Sequence, residues 1–281
     1  MKIAVFGVGF LGGKLMRFFS NNFEVVGADI TSHNSLVRKL DATDPKAVEE
    51  FLMLEKPDIV IDTIALSSYF ACEKKPELCR KLNYDTAKNI AEVCKIINAK
   101  MIFISSSYVF NGEAGNYSET DIPNSTHEYG RSKVLAEKKV LELEGAIVIR
   151  AEPLYGYNEE TSQITVGTNT FEDDAKVGYP DLLRRPVFVN DIPEIIFKLI
   201  EKNQSGIFHI ASNKKIKWLD FLTTVALIIG AEEKVIIVDN SDWILKPPHD
   251  SSLDTSRITS LGIATTSFEV ALNTLRELPT S

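Results

Sequence analysis

The stretch Lys2-Ile3-Ala4-Val5-Phe6-Gly7-Val8-Gly9-Phe10-Leu11-Gly12 decides the fold. Its first five residues form a short apolar run that stops at glycine. Leu11 to Phe19 then follows with helical spacing, carrying the basic residues Lys14 and Arg17. That order predicts strand, turn, helix. In such a turn Gly7 permits the tight bend, Gly9 lets a pyrophosphate approach backbone amides, and Gly12 allows close packing of helix on strand. Together with Phe10 and Leu11 they make a candidate dinucleotide loop; the alternative is a packing turn in another doubly wound fold. Asp29 lies 17 residues beyond Gly12, at the end of the β-branched run Phe23–Ala28. A carboxylate there accepts hydrogen bonds from the adenosine ribose and repels a 2'-phosphate, which favours NAD over NADP. His33 and Arg38, close by in sequence, pull the other way. Asp41, after a third short strand ending at Leu40, is either an acceptor for the adenine amine or an ordinary loop aspartate.

Beyond this loop, strand and helix signals alternate. A helix is expected at Pro45–Leu54, with Asp44 as N-cap and Pro45 at its first position. Further signals are a strand at Asp58–Ile64, one long helix at about Pro76–Ile97, a strand at Met101–Ser105, a helix at about Glu128–Leu143 and a strand at Ala146–Arg150. This alternation implies an α/β, Rossmann-like, doubly wound parallel sheet covered on both faces. Residues 1–150 read as the dinucleotide-binding domain, completed by later segments. Residues 151–281 read mostly as a smaller, interwoven substrate-binding lobe. Glu159–Asp181 is polar and shows neither period clearly, so it is expected to be a long functional loop or a small lobe. Later signals are Val187–Val189, Pro193–Ile200, Gly206–Ala211, Trp218–Ile229 and a last helix near Ser267–Leu275.

Of the 281 residues, 44% are hydrophobic and 25% charged, which excludes fibrous and disordered classes. A formal charge of -8 argues against nucleic acid and anionic membrane as partners. An anionic ligand would then need local backbone amides or a few arginines. Cys72, Cys79 and Cys94 are an odd number, expected to be reduced intracellular thiols, and with the scattered histidines they match no zinc spacing, so no metal site is expected. No apolar run approaches membrane-spanning length and the Met1–Phe10 segment lacks a cleavage site, so the chain is expected to be cytoplasmic.

The strongest chemical signal is Tyr129-Gly130-Arg131-Ser132-Lys133, which puts a phenol and an ammonium at i, i+4 on one helical face. An ammonium beside a phenol is expected to lower its pKa and make it a usable acid or base. Ser105-Ser106-Ser107 ends the preceding strand, and strand ends in open α/β sheets border the ligand crevice. The plainer reading of the serine run is a turn cap.

These residues together resemble the extended short-chain dehydrogenase/reductase superfamily. Within it, three stretches look like the dTDP-4-dehydrorhamnose reductase family: Ser105 to Gly112, Tyr129 to Lys133, and Arg150 with Leu154-Tyr155-Gly156. The tail Lys246-Pro247-Pro248-His249-Asp250-Ser251-Ser252-Leu253-Asp254-Thr255 does so too. Arg150–Gly156 and Leu253–Gly262 are also similar to the regulatory subunit of methionine adenosyltransferase. The resemblance runs nearly end to end. It implies Tyr129 as proton donor, Lys133 as the residue that binds the nicotinamide ribose and tunes Tyr129, and Ser106 as the group holding the substrate carbonyl. It also implies that Asn83 helps place the lysine and that Ala65, with Leu66 and Ser67, lines the cofactor. Ser67, Ser107 and Glu152 are candidate substrate residues. Arg184, Arg185 and Pro186–Asp191 resemble the segment that closes on a nucleotide-sugar diphosphate, although a solvated arginine pair fits the same letters.

Several positions depart from the pattern. The glycine loop is one residue shorter than usual in extended members. Ser107 replaces an aspartate common in the rhamnose reductases, and Glu152-Pro153 replaces their Ser-Trp, a change that favours the methionine adenosyltransferase relative. A dehydratase would want an Asp-Glu pair where Ser107-Tyr108 stands. The function expected is reduction of a 4-keto nucleotide-activated deoxysugar, with Asp29 pointing to NAD and the family resemblance to NADPH. The rivals are a non-catalytic dinucleotide-binding regulatory subunit and a sugar epimerase. A homodimer is one option for assembly.

Overall fold

A computed structural model describes residues 1–31, 35–167, 169–170, 176–178, 180–237 and 247–277. His33, Lys246 and part of the polar Glu159–Asp181 stretch lie outside the described residues.

The first half alternates as expected. Strands β1 (Lys2–Phe6), β2 (Glu24–Asp29), β3 (Val37–Lys39), β4 (Ile59–Asp62), β5 (Lys100–Ser106) and β6 (Ile147–Ala151) are interleaved with α1 (Phe10–Phe19), α2 (Pro45–Glu55), α3 (Tyr69–Lys74), α4 (Pro76–Arg80), α5 (Thr86–Ile97) and α6 (Glu128–Val140). The second half adds β7 (Leu154–Asn158), β8 (Gln163–Val166), β9 (Asn169–Thr170), β10 (Lys176–Gly178), β11 (Leu183–Arg184), β12 (Val187–Phe188), α7 (Asp191–Glu201), β13 (Gly206–Ile210), β14 (Ile216–Lys217), α8 (Trp218–Ile229), β15 (Val235–Ile237), α9 (Ser256–Ser260) and α10 (Phe268–Arg276).

A seven-stranded parallel sheet in the order β13-β6-β5-β4-β1-β2-β3 is the frame. Its central strands are buried on both faces, which is why they read as continuous apolar runs rather than alternating ones. Ile3, Ala4, Val5 and Phe6 are all fully buried. One face carries a cluster that includes Phe6, Val60, Met101 and Phe103 from the strands, Ile90 and Cys94 from α5, and Ala136 and Val140 from α6. α2 begins as its letters suggest, with the Asp44 side chain accepting from the Lys46 amide and Pro45 in the first turn.

One expectation is revised. The single helix over 76–97 is interrupted by a π-turn at Lys81–Asp85, whose widened loop carries Asn83. Within Glu159–Asp181, expected as a long loop or a small lobe, β8 and β9 join β12 and β7 in a four-stranded sheet. Ile164 and Val166 of β8 are buried, yet two such residues amid polar neighbours are too few to show a period.

The chain divides into two compact units that exchange segments. One comprises Met1–Val109, Ser125–Arg150 and Ile192–Phe208; the other comprises Phe110–Asn124, Ala151–Asp191 and His209–Ser281. The second unit has its own core, in which Tyr155, Phe188, Phe221 and Phe268 meet Leu272 and Leu275.

Candidate active site

The glycine loop is shaped for an anion. Gly7 sits at φ +82°, the left-handed region that glycine adopts without strain. A Cβ on Gly12 would lie 1.9 Å from the Gly7 carbonyl oxygen, so α1 approaches β1 only because Gly12 has none. A Cβ on Gly9, by contrast, would meet nothing within 4 Å among the described residues, so the backbone there faces open space. Gly9 caps α1 without a side-chain hydrogen bond, and the helix has no acidic residue in its first turn. Amides at a bare helix N-terminus are suited to a phosphate, so these residues fit a dinucleotide. Asp29 steadies the loop, accepting from the Val8 amide at 2.6 Å and from the Thr31 amide at 3.0 Å. Asp41 is exposed and closes its own turn by accepting from the Thr43 amide at 2.9 Å, as an ordinary loop aspartate does.

α6 places the reacting groups. It starts at His127, whose Nδ1 accepts from the Gly130 amide at 3.2 Å. A Cβ on Gly130 would stand 2.0 Å from the Tyr108 carbonyl oxygen, so glycine between Tyr129 and Arg131 lets the helix press onto the end of β5. Tyr129 is buried beside Ser106, whose Oγ accepts from the Tyr108 amide at 3.2 Å. Lys133 is buried, donates to the Ile104 carbonyl at 2.8 Å and lies 4.4 Å from the Phe103 ring centroid.

The electrostatics correct one expectation. Burial pushes the Tyr129 phenol above its ordinary value, with the Ser106 hydrogen bond opposing, so the phenol stays protonated at neutral pH. Desolvation dominates, and the groups that act on the phenol are Ser106, Cys72, Tyr108 and Cys79 rather than Lys133. Burial likewise brings Lys133 down to about 8, with Asp62 and Glu137 opposing.

Asn83 joins three elements. Its Oδ1 accepts from the Leu66 amide at 2.7 Å, while its Nδ2 donates to the Leu66 carbonyl at 3.2 Å and to Ser132 Oγ at 2.9 Å. Its contact on α6 is therefore the residue before Lys133. Ala65 is exposed and Ser67 half-buried in the loop so held, whereas Ser107 is buried at the start of a 3-10 turn.

The serine run did not reveal its partner: Glu137, on α6, takes a hydrogen bond from Ser105 and forms a buried ion pair with Arg150 at 2.7 Å. Cys72 and Cys79 come from two separate helices and meet in one cluster with Tyr129. Their mutual hydrogen bond raises the Cys72 thiol and lowers that of Cys79. Asp62 also went unread, although a charged residue inside the apolar run Asp58–Ile64 was a visible anomaly.

The substrate candidates Glu152, Arg184 and Arg185 belong to the second unit. Arg184 is fully buried, donating to the carbonyls of Leu183 at 2.7 Å, Pro248 at 2.7 Å and His249 at 3.1 Å. Arg185 donates to the carbonyls of Ser212 and Leu253. Arg184 is thus an internal strut, which corrects both the diphosphate clamp and the solvated reading for that residue, whereas Arg185 is half-buried. Buried Glu152 faces both guanidinium groups, and burial raises its carboxyl to about 7 against their opposing field. The tail crosses the segment after Phe110, with the Asp250 amide donating to Gly112 at 2.8 Å and the Tyr117 amide to Ser252 at 2.9 Å. Among the described residues no group of three or more His, Cys, Asp or Glu is placed to hold a metal, and no helix is long and apolar enough to cross a membrane.

A dinucleotide-type loop and a Ser-Tyr-Lys set on one parallel sheet define an architecture of the extended short-chain dehydrogenase/reductase kind. More narrowly, the chain belongs to the RmlD substrate binding domain family, whose profile matches residues 1–278. It is 30% identical over 268 residues to methionine adenosyltransferase 2 subunit beta of Bos taurus, covering 91% of this chain and 80% of that protein. To the probable low-salt glycan biosynthesis reductase of Haloferax volcanii it is 28% identical over 264 residues, covering 89% and 88%. Among solved structures, a hypothetical dTDP-4-dehydrorhamnose reductase from Sulfolobus tokodaii superposes with a TM-score of 0.81 at 28% identity, covering 96% and 98%.

Proposed function

We propose that this protein is a nicotinamide-dependent reductase of a 4-keto nucleotide-activated deoxysugar. The observation that carries the reading is buried Tyr129 beside Ser106 at the carboxyl end of β5, with Lys133 one turn further along α6. A reduced nicotinamide supplies the hydride for the carbonyl carbon. Tyr129 gives its phenolic proton to the developing alkoxide, and its raised pKa keeps that proton in place at neutral pH. Ser106 donates to the same oxygen, a positioned donor where charge develops. Lys133 has three N–H donors and among the described residues spends one, on Ile104, so two remain for the nicotinamide ribose hydroxyls. The amides of Gly9, Phe10 and Leu11 take the pyrophosphate, and Asp29 takes the adenosine ribose, which favours NADH; preference for NADPH would follow the family resemblance instead.

A regulatory subunit is the second reading, favoured by the 30% identity to methionine adenosyltransferase 2 subunit beta. The decisive assay follows the absorbance of NADH or NADPH with dTDP-4-keto-6-deoxysugars. Turnover is the expected result. No turnover, together with a stable complex in a pull-down of methionine adenosyltransferase, overturns the reductase reading.

A further inference from the structure

Asp62 is a fully buried carboxylate at the last position of β4. The register pairs it with Phe6 of β1 and Phe103 of β5. Residues in register across parallel strands point to the same face, so Asp62 stands on the apolar face that α5 and α6 cover. The Lys133 ammonium lies over Phe103 on that face. Asp62 Oδ1 accepts from the Ile64 amide at 2.9 Å, while Oδ2 has no hydrogen-bond partner among the described residues. A buried carboxylate with an open oxygen costs several kcal/mol unless a cation faces it, and a strand interior has no packing use for one.

The other titratable groups nearby do not serve as that cation. Glu137 of α6 is engaged by Arg150 and Ser105. Cys94 of α5 is a thiol that burial, and then Asp62, push up to about 12. Cys72 and Cys79, from α3 and α4, act on Lys133 as acidic neighbours. Lys133 is the cation whose field reaches Asp62.

We propose that Asp62 is a positioning residue: sharing the sheet face with Lys133, its carboxylate keeps that lysine protonated in a site whose burial works to neutralise it. The functional meaning rests on the reductase reading, in which Lys133 acts as an ammonium; the pairing itself does not. Burial raises Asp62 to about 6 and lowers Lys133 to about 8, and each group opposes the effect of burial on the other. Both are therefore charged between about pH 6 and pH 8. Without the carboxylate, Lys133 loses its proton at lower pH.

The test is a 15N-lysine NMR titration of the ligand-free protein, with the Lys133 signal assigned by its loss in Lys133→Arg. Asp62→Asn is expected to lower the Lys133 midpoint by about one pH unit or more; an unmoved midpoint overturns the proposal. The unaltered protein gives a second check that needs no folded variant: its Lys133 signal should show a minor inflection near pH 6 as Asp62 titrates, and a flat trace there also overturns it. Fluorescence titration with NADH and NADPH separates the two claims. If affinity fails at high pH and Asp62→Asn moves that failure to lower pH, both stand. If neither nucleotide binds while the midpoint still shifts, the reductase reading falls and the pairing stands.

Discussion

Buried charge is used in opposite ways in the two units. In the first, Lys133 makes one hydrogen bond, to Ile104, and stands among groups whose protonation states burial has moved: Tyr129 upward, Asp62 to about 6 and Lys133 itself to about 8. In the second, Arg184 distributes its donors over three carbonyls and fastens the Pro248–His249 segment of the tail. A lysine whose pKa burial has moved, next to a titratable phenol, suits chemistry, whereas a guanidinium held by main-chain carbonyls suits structure. The lesson is that burial alone does not mark a functional charge; the groups it faces do.

Substitutions can break that contrast. Tyr129→Phe is expected to cut turnover by at least ~100-fold, the lower bound for losing a general acid, with little change in cofactor affinity. Unchanged reduction in that variant would remove Tyr129 from the chemistry. Arg184→Met should instead act on folding, lowering stability by about 3 kcal/mol in urea titration because it leaves Glu152 without one of its facing cations and removes a charged donor from three carbonyls, of which only that of His249 is shown with another, the Leu183 amide. If stability holds while KM for the nucleotide sugar rises, Arg184 is a substrate ligand and the contrast between the units fails.

Much of the first unit was legible because its signals are local. Gly7, Gly9 and Gly12 read from spacing alone, and the helical face shared by Tyr129 and Lys133 follows from i, i+4 geometry. What escaped depends on contacts between elements distant in sequence. Asn83 was marked by the family resemblance, but its bonds to Leu66 and Ser132 were not, and Cys72 and Cys79 meet where the chain breaks between α3 and α4 at Lys75. The second unit was harder still. Its sheet is built from strands of two to five residues, too short to show a period, and the two arginines look the same on paper whether they bind phosphate or carbonyls. Only the residues they face distinguish those uses.

A smaller effect sharpens the comparison inside the first unit. Asn83→Ala leaves the Leu66 amide without its acceptor, while the Leu66 carbonyl keeps the Cys72 thiol, a loss of about 1–3 kcal/mol. If that clamp sets the loop lining the cofactor, nucleotide affinity should fall with it, by roughly tenfold for 1.4 kcal/mol. A stability loss with unchanged affinity would make Asn83 a purely structural residue.

The mildest prediction concerns pH. Glu152 is raised from its ordinary value of 4.5 to about 7 by burial. The native state therefore holds the proton more tightly than the unfolded chain does. Its contribution to stability is complete below about pH 4.5 and is lost as pH rises through about 7. Glu152→Gln keeps a neutral side chain of similar shape at every pH, so relative to the unaltered protein it should gain at least about 1 kcal/mol, the worth of less than one pKa unit, between pH 5 and pH 8. Urea titrations at those two pH values measure the gain. A constant difference between the two proteins would mean that the fields of Arg184 and Arg185 offset the burial of Glu152 in full, making the second unit's carboxylate as fully satisfied as its arginines.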